Sequence, residues 1–170
     1  MKTLLAALAL ALLISFVPPA RAADPALPSV QLSADNGAGR PLEEQTKKSL
    51  VRDYAKAWHT LAQALAQNRP DLIGNDFTGV ADEKLAAAVA EQAKSGLRTR
   101  YIDHGHKIEV LFYSPEGLSI ELRDTAQLER QVLDGEKVIH SEQVTRHYIS
   151  LMTPTEVRWK VRLLQEVPAQ

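Results

Sequence analysis

From Leu118 to Val132 the chain alternates, with Leu118, Ile120, Leu122, Ala126, Leu128 and Val132 on one side and Ser119, Glu121, Arg123, Thr125, Gln127, Glu129 and Gln131 on the other. A period of two is that of a strand with one dry and one wet face. Asp124 and Arg130 interrupt the dry row. A carboxylate on a buried face needs partners, which makes Asp124 the first lead to a site.

The rhythm ahead of this strand is different. Leu50, Tyr54, Trp58, Leu61 and Leu65 recur at three- and four-residue steps and form the apolar stripe of a helix. Pro41 suits a first helical turn, Glu43 and Glu44 complement the helix dipole, and Asn68-Arg69-Pro70 ends the run near Gln67. After a short turn at Asp71 to Ile73, a second helix is expected from Asp82 to Ser95, with Leu85, Ala88, Val89 and Ala93 on one side and Gly96 as its stop. Four strands follow, at Gly105 to Tyr113, Leu118 to Leu133, Lys137 to Met152 and Val157 to Val167. Helices first and sequential strands afterwards predict an α+β fold, a curved four-stranded antiparallel meander wrapped around the long helix.

Turn chemistry sets an expected register. Asp134-Gly135 reads as a two-residue hairpin turn with Leu133 opposite Glu136, which places Leu118 by Leu151, Ile120 by Ile149, Leu122 by His147 and Asp124 by Thr145. Ser114-Pro115-Glu116-Gly117 reads as a turn with a glycine bulge, matching Phe112 to Ile120, Val110 to Leu122, Ile108 to Asp124 and His106 to Ala126. A loop around Pro154 sets Trp159 beside Ile149 and Val161 beside His147. One face is then apolar at its start and polar further along, where His106, Asp124, His147 and Thr145 gather. On the opposite face Arg123 is expected to face Arg146.

The ends and the composition bound the surroundings. Met1-Lys2-Thr3, the apolar run from Leu4 to Val17, Pro18-Pro19 and Ala20-Arg21-Ala22 have the order of a secretory signal peptide, with cleavage expected after Ala22. The run is shorter than the roughly 18 apolar residues a membrane helix needs, so no membrane association is expected after cleavage. Export implies the periplasm or the medium. Residues 23–42, rich in Pro, Gly, Ser and Ala, read as a flexible leader, and residues 43–168 as one domain. There is no cysteine, which excludes disulfides, thiolate metal sites and lipoprotein anchoring. Twenty basic residues against 21 acidic ones, dispersed along the chain, argue against a nucleic-acid partner.

The long helix bearing Trp58 and the Leu61–Leu65 run, the step from Gly96 to Tyr101, and the closing Tyr148, Leu151 and Trp159-Lys160-Val161 resemble the NTF2-like, or cystatin-like, α+β cone. Within that superfamily they are nearest in pattern to the IMS domain of the chloroplast division proteins. The resemblance spans roughly Glu43 to Pro168. It implies a pocket between the concave sheet and the helices. It also implies a protein-interaction module, since the IMS-type members have no recognised catalytic set.

The residues leave two functions in play. The first is an exported, non-catalytic module that binds a protein partner or a small apolar ligand. Tyr54, Trp58, Trp159 and Thr145 are candidate pocket residues, Arg123 and Arg146 a candidate interaction face, and a homodimer through that face suits the fold. The alternative is a small-molecule isomerase, dehydratase or hydrolase, with Asp124 as general base and His147 and His106 as its partners. Two histidines and a carboxylate are also metal-ligand types, and His104 stands at same-face spacing from His106. No further ligand motif follows, so neither metal nor other cofactor is expected.

Overall fold

A computed structural model describes residues 26–169; the expected signal peptide lies outside them. A five-stranded sheet wraps around helix α1 (Glu44–Gln67), with a 3-10 turn (Pro70–Asn75) and helix α2 (Gly79–Lys94) closing the same side. Its strands run in the order β1 (Val30–Gly39), β2 (Leu97–Tyr113), β3 (Ile120–Asp134), β4 (Lys137–Pro154) and β5 (Trp159–Val167). The last four form the expected antiparallel meander. Strand β1 is an addition. It lies parallel to β2 along part of the segment read as a flexible leader, and the Ser33 hydroxyl donates to the Ile108 carbonyl (3.1 Å). Its irregular pairing, broken twice, conceals the alternation by which a strand is recognised. Among the described residues no helix is long and apolar enough to cross a membrane.

The core lies between α1 and the concave sheet face. Leu50, Tyr54, Ala57, Trp58, Leu61 and Ala64 of α1 meet Ile108, Val110, Ile120, Leu122, Ala126, Leu128, Met152 and Val161 of the sheet. The helix ends with Asn68 in the left-handed region (φ 52°), where its backbone N–H donates to the Ala64 carbonyl. The Asn68 side chain donates to the Leu97 carbonyl (3.0 Å), and Gln92 of α2 donates to both the Leu65 carbonyl (2.8 Å) and the Asn68 amide oxygen. One side chain thus fixes the helix end, the following helix and the start of β2.

Two bulges decide what faces inward. Val110, Ile108 and His106 stand opposite Leu122, Asp124 and Ala126 as expected, but a bulge at Leu111 sets Tyr113, rather than Phe112, opposite Ile120. The larger correction is between β3 and β4. The turn closes one residue later than expected, with Asp134 opposite Lys137 and Leu133 opposite Val138, a change that preserves the faces. A bulge at Ile139 then adds one more residue, so that Val132 meets His140, Asp124 meets Tyr148 and Leu122 meets Ser150. Because side chains alternate, the odd total reverses β4. His147 and Thr145 turn to the convex face, while Tyr148 and Arg146 turn to the concave one. On the other side of β4, Trp159 pairs with Pro154 and Val161 with Met152, instead of Ile149 and His147.

Candidate functional site

Asp124 is fully buried (0 % exposed) in a row of concave side chains running from Ile108 through Tyr148 to Glu166. Its Oδ2 accepts two hydrogen bonds, from the Tyr54 hydroxyl of α1 (2.9 Å) and from His106 Nδ1 of β2 (2.8 Å). The other oxygen, Oδ1, is buried without a partner, and so is the hydroxyl of Ser150, one pleat away on β4.

The histidine has a second acid. Asp103 and His106 are three residues apart, which in a regular strand would put them on opposite faces. A bulge between Asp103 and Gly105 brings them to the same one, with Gly105 at φ 127°, a conformation that glycine takes without strain. The Gly105 N–H donates to Asp103 Oδ1 (2.8 Å), and His106 Nε2 meets Asp103 Oδ2 (2.8 Å). Burial favours the neutral imidazole. The two carboxylates override it and raise the His106 pKa to about 9, so the ring is a cation at neutral pH. Burial, and then the charge of Asp124, holds the Tyr54 hydroxyl well above its ordinary pKa. The chain Asp103, His106, Asp124 and Tyr54 therefore joins two acids through an imidazolium and ends on a neutral phenol.

Aromatic rings separate this network from a cavity of about 270 Å³ between α1, α2 and the sheet. Trp58 stacks obliquely on His106 (4.5 Å between centroids) and meets Tyr148 edge-on at 5.2 Å. Trp58 and Tyr148 both line the cavity, with Leu61, Leu85, Tyr101, Leu164 and Glu166. Burial raises the Tyr148 pKa, with neighbouring Tyr101 and Glu166 adding to it. Glu166 is bound by Arg146, and Arg130, four residues along β3 from the pairing partner of Arg146, by Glu142 (2.8 Å).

Two other buried acids are differently furnished. Asp53 of α1 accepts from Arg52 with both oxygens (2.8 and 3.0 Å) and from the Trp159 backbone N–H (3.0 Å). Asp76 accepts from Arg158 (2.8 Å) and from the Thr60 hydroxyl (2.6 Å). Both tie the helical layer to β5, and neither has an oxygen left over.

The sequence-predicted residues divide accordingly. Asp124, His106 and Tyr54 are brought into one hydrogen-bonded chain, and Trp58 lies between it and the cavity. His147 is not part of it, because β4 is reversed; its Nδ1 meets the Thr125 hydroxyl (3.2 Å) on the convex face. Thr145 is exposed there too, and Trp159 packs at the far end against Tyr113 (6.3 Å). The expected basic pair is also dissolved. Arg123 lies near Glu109 on the convex side (3.4 Å), whereas Arg146 is concave and bound to Glu166. His104 sits at the bulge with its side chain exposed, so it does not share a face with His106 as expected. Among the described residues no group of three or more His, Asp or Glu side chains could hold a metal ion. In sequence no site role falls to Tyr101, Tyr148 or Glu166, and Asp103 shows only as a neighbour of His104 and His106. Gly105 inside a strand, two residues after Asp103, is the one signal of a bulge that could have found that acid.

The architecture is an NTF2-like α+β cone, and comparison with solved structures shows it directly. The intermembrane space region of the chloroplast protein ARC6 superposes with a TM-score of 0.65 at 14% identity, covering 76% of this chain and 100% of that one. A candidate scytalone dehydratase from Novosphingobium aromaticivorans DSM 12444 gives 0.52 at 12% identity (74% and 89%). A candidate dehydratase of the NTF2-like family from Streptomyces avermitilis gives 0.50 at 7% identity (73% and 99%). No family model and no curated protein sequence matches the chain. At these identities the shared property is the fold.

Proposed function

We propose that this chain is an exported, non-catalytic NTF2-like module that binds a small, largely apolar ligand in the cavity between α1, α2 and the concave sheet. The observation that carries the reading is that cavity, about 270 Å³, walled by Trp58, Leu61, Leu85 and Leu164 and edged by the polar ends of Tyr101, Tyr148 and Glu166. Apolar walls with a few placed polar groups are the ordinary make-up of a small-molecule site, and the volume suits a single-ring compound. A non-catalytic role is supported by the position of the acid. Asp124 and His106 are sealed behind Trp58 and Tyr148, so a bound molecule meets rings rather than a general base. The loss of the paired Arg123 and Arg146 removes the argument for docking an acidic partner on the convex face.

Trp58 reports on its own cavity. The protein has two tryptophans, so Trp159→Phe leaves Trp58 as the sole indole. Titration of that variant with toluene and with cyclohexanol should give saturable changes in fluorescence and a rise in melting temperature. Ala88 lines the cavity and is exposed on α2, so Ala88→Phe should fill the space and abolish both responses while the protein stays folded. Unchanged binding in Ala88→Phe would place the ligand elsewhere and end the reading. Export is checked by cell fractionation and N-terminal sequencing, with Ala23 the expected first residue of the mature chain.

A further inference from the structure

The C-terminal half of helix α1 has a cavity on each flank. On one side, Trp58, Leu61 and Leu65 border the ligand cavity. On the other, His59, Ala62, Gln63 and Ala66 border a larger space of about 690 Å³, enclosed by the helix, the start of β2 and residues 26–29, which lead into β1. The two rows advance by three- and four-residue steps and are one residue out of phase, so they are neighbouring stripes of the same helix. Among the described residues that line these two cavities, Tyr101 is the only one common to both. It is half-buried and stands opposite Arg130 of β3, on the concave face that Asp103 shares. The cavities differ in character as well as size. The smaller has a wall of Leu and Val side chains with three aromatic rings, whereas the larger takes His59, Gln63, Gln67 and Asp103 into its lining.

We infer that Tyr101 is the residue that sets the size of the ligand, its ring serving as the end wall that shuts the apolar cavity off from the larger space along the other flank of α1. This inference rests on the reading of the cavity as a ligand site and adds to it the residue that decides which apolar molecules fit. With the ring in place the occupant is a compact body. Without it the two spaces join beneath α1, and a longer chain can pass from the Leu-lined side to the side of His59 and Gln63.

Straight-chain alcohols from 1-butanol to 1-decanol measure the length of the space, read by Trp58 fluorescence in the Trp159→Phe protein. Each CH₂ that enters the cavity should tighten binding about fourfold. In the parent the gain should stop at the chain that fills the cavity. Tyr101→Ala should carry it further, so that 1-decanol binds at least about tenfold tighter than in the parent. Tyr101→Phe keeps the ring and should stop where the parent does. Ala66→Phe fills the larger space from the helix: alone it should leave the series unchanged, and combined with Tyr101→Ala it should bring the stop back to the parent length, which a general loosening of the fold would not do. Tyr101→Val, better suited to a strand, takes the place of Tyr101→Ala if that variant does not fold. A parent series without a stop, the same stop after loss of the ring, or a lengthened series that Ala66→Phe fails to shorten overturns the role of Tyr101 while the cavity remains a ligand site. Absence of saturable binding by every alcohol in the parent overturns the cavity reading as well.

Discussion

Helix α1 places acids or acid partners at two ends of the core, and the two ends are built on different rules. At the β5 end, Asp53 and Asp76 have every carboxylate oxygen engaged, and their arginine partners, Arg52 and Arg158, reach water with side chains 50% and 37% exposed. At the β2–β3 end, Asp124 is held by Tyr54 and His106, neither of which can reach water, and one of its oxygens is free. A fully satisfied acid beside a hydrated cation is a clamp. A buried acid with a spare acceptor behind an aromatic wall is not, and in this protein that distinguishes the site from the scaffold.

The largest expected effect tests that distinction directly. Asp124→Leu strands the Tyr54 hydroxyl and the His106 Nδ1–H in the core, and it should destabilise the protein by about 3–5 kcal/mol in urea unfolding. Asp53→Ala removes three hydrogen bonds where Asp124→Leu removes two, but Arg52 can turn to solvent, so the loss should be nearer about 2 kcal/mol. Equal losses at the two positions would break the comparison.

The pH dependence should separate the ends as well. The folded pKa of His106 is raised to about 9 from an ordinary value of 6.5. The stability this confers is therefore fully present below about pH 6.5 and is lost as pH rises through about 9, a change on the order of 3 kcal/mol. Denaturant melts between pH 6 and 10 should show that decline in the parent and in Asp53→Ala, and His106→Gln should remove it. A decline that survives His106→Gln belongs to other groups.

Smaller effects refine the scaffold side. Thr60→Val deletes the hydroxyl that donates to Asp76 Oδ2 and should cost about 1 kcal/mol. His147→Ala and Thr145→Ala lie on the convex face and should each stay within about 0.5 kcal/mol of the parent, with the pH decline intact. Loss of the decline in His147→Ala would restore the register expected from the turn sequence.

Much of this was open to reading in the chain. The stripe from Leu50 to Leu65 fixes α1 because only one face of a helix can be buried, and it delivers Tyr54 and Trp58 to the sheet. The alternation of β3, with its acid in the dry row, names Asp124 without any structure. The pairing of His106 near Asp124 was expected from the Ser114–Gly117 turn; the strands leave that turn one residue out of the expected register, at Tyr113 and Ile120, and the bulge at Leu111, between the turn and the contact, restores it.

What failed is equally specific. His147 was expected in the site; one unpaired residue at Ile139 reversed β4 and put Tyr148 there instead. Asp103 was visible only as a neighbour of His104, because the bulge that turns it toward His106 depends on the pairing with β3. The periods of the elements, their order and the identity of the central acid are written in the chain, since these depend on local geometry and on which side chains can leave water. Which side chains meet that acid is settled by strand pairing. Bulges and parallel pairing with β1 are settled by partner strands far away in sequence, and a shift of one residue there reverses a face without changing any local pattern.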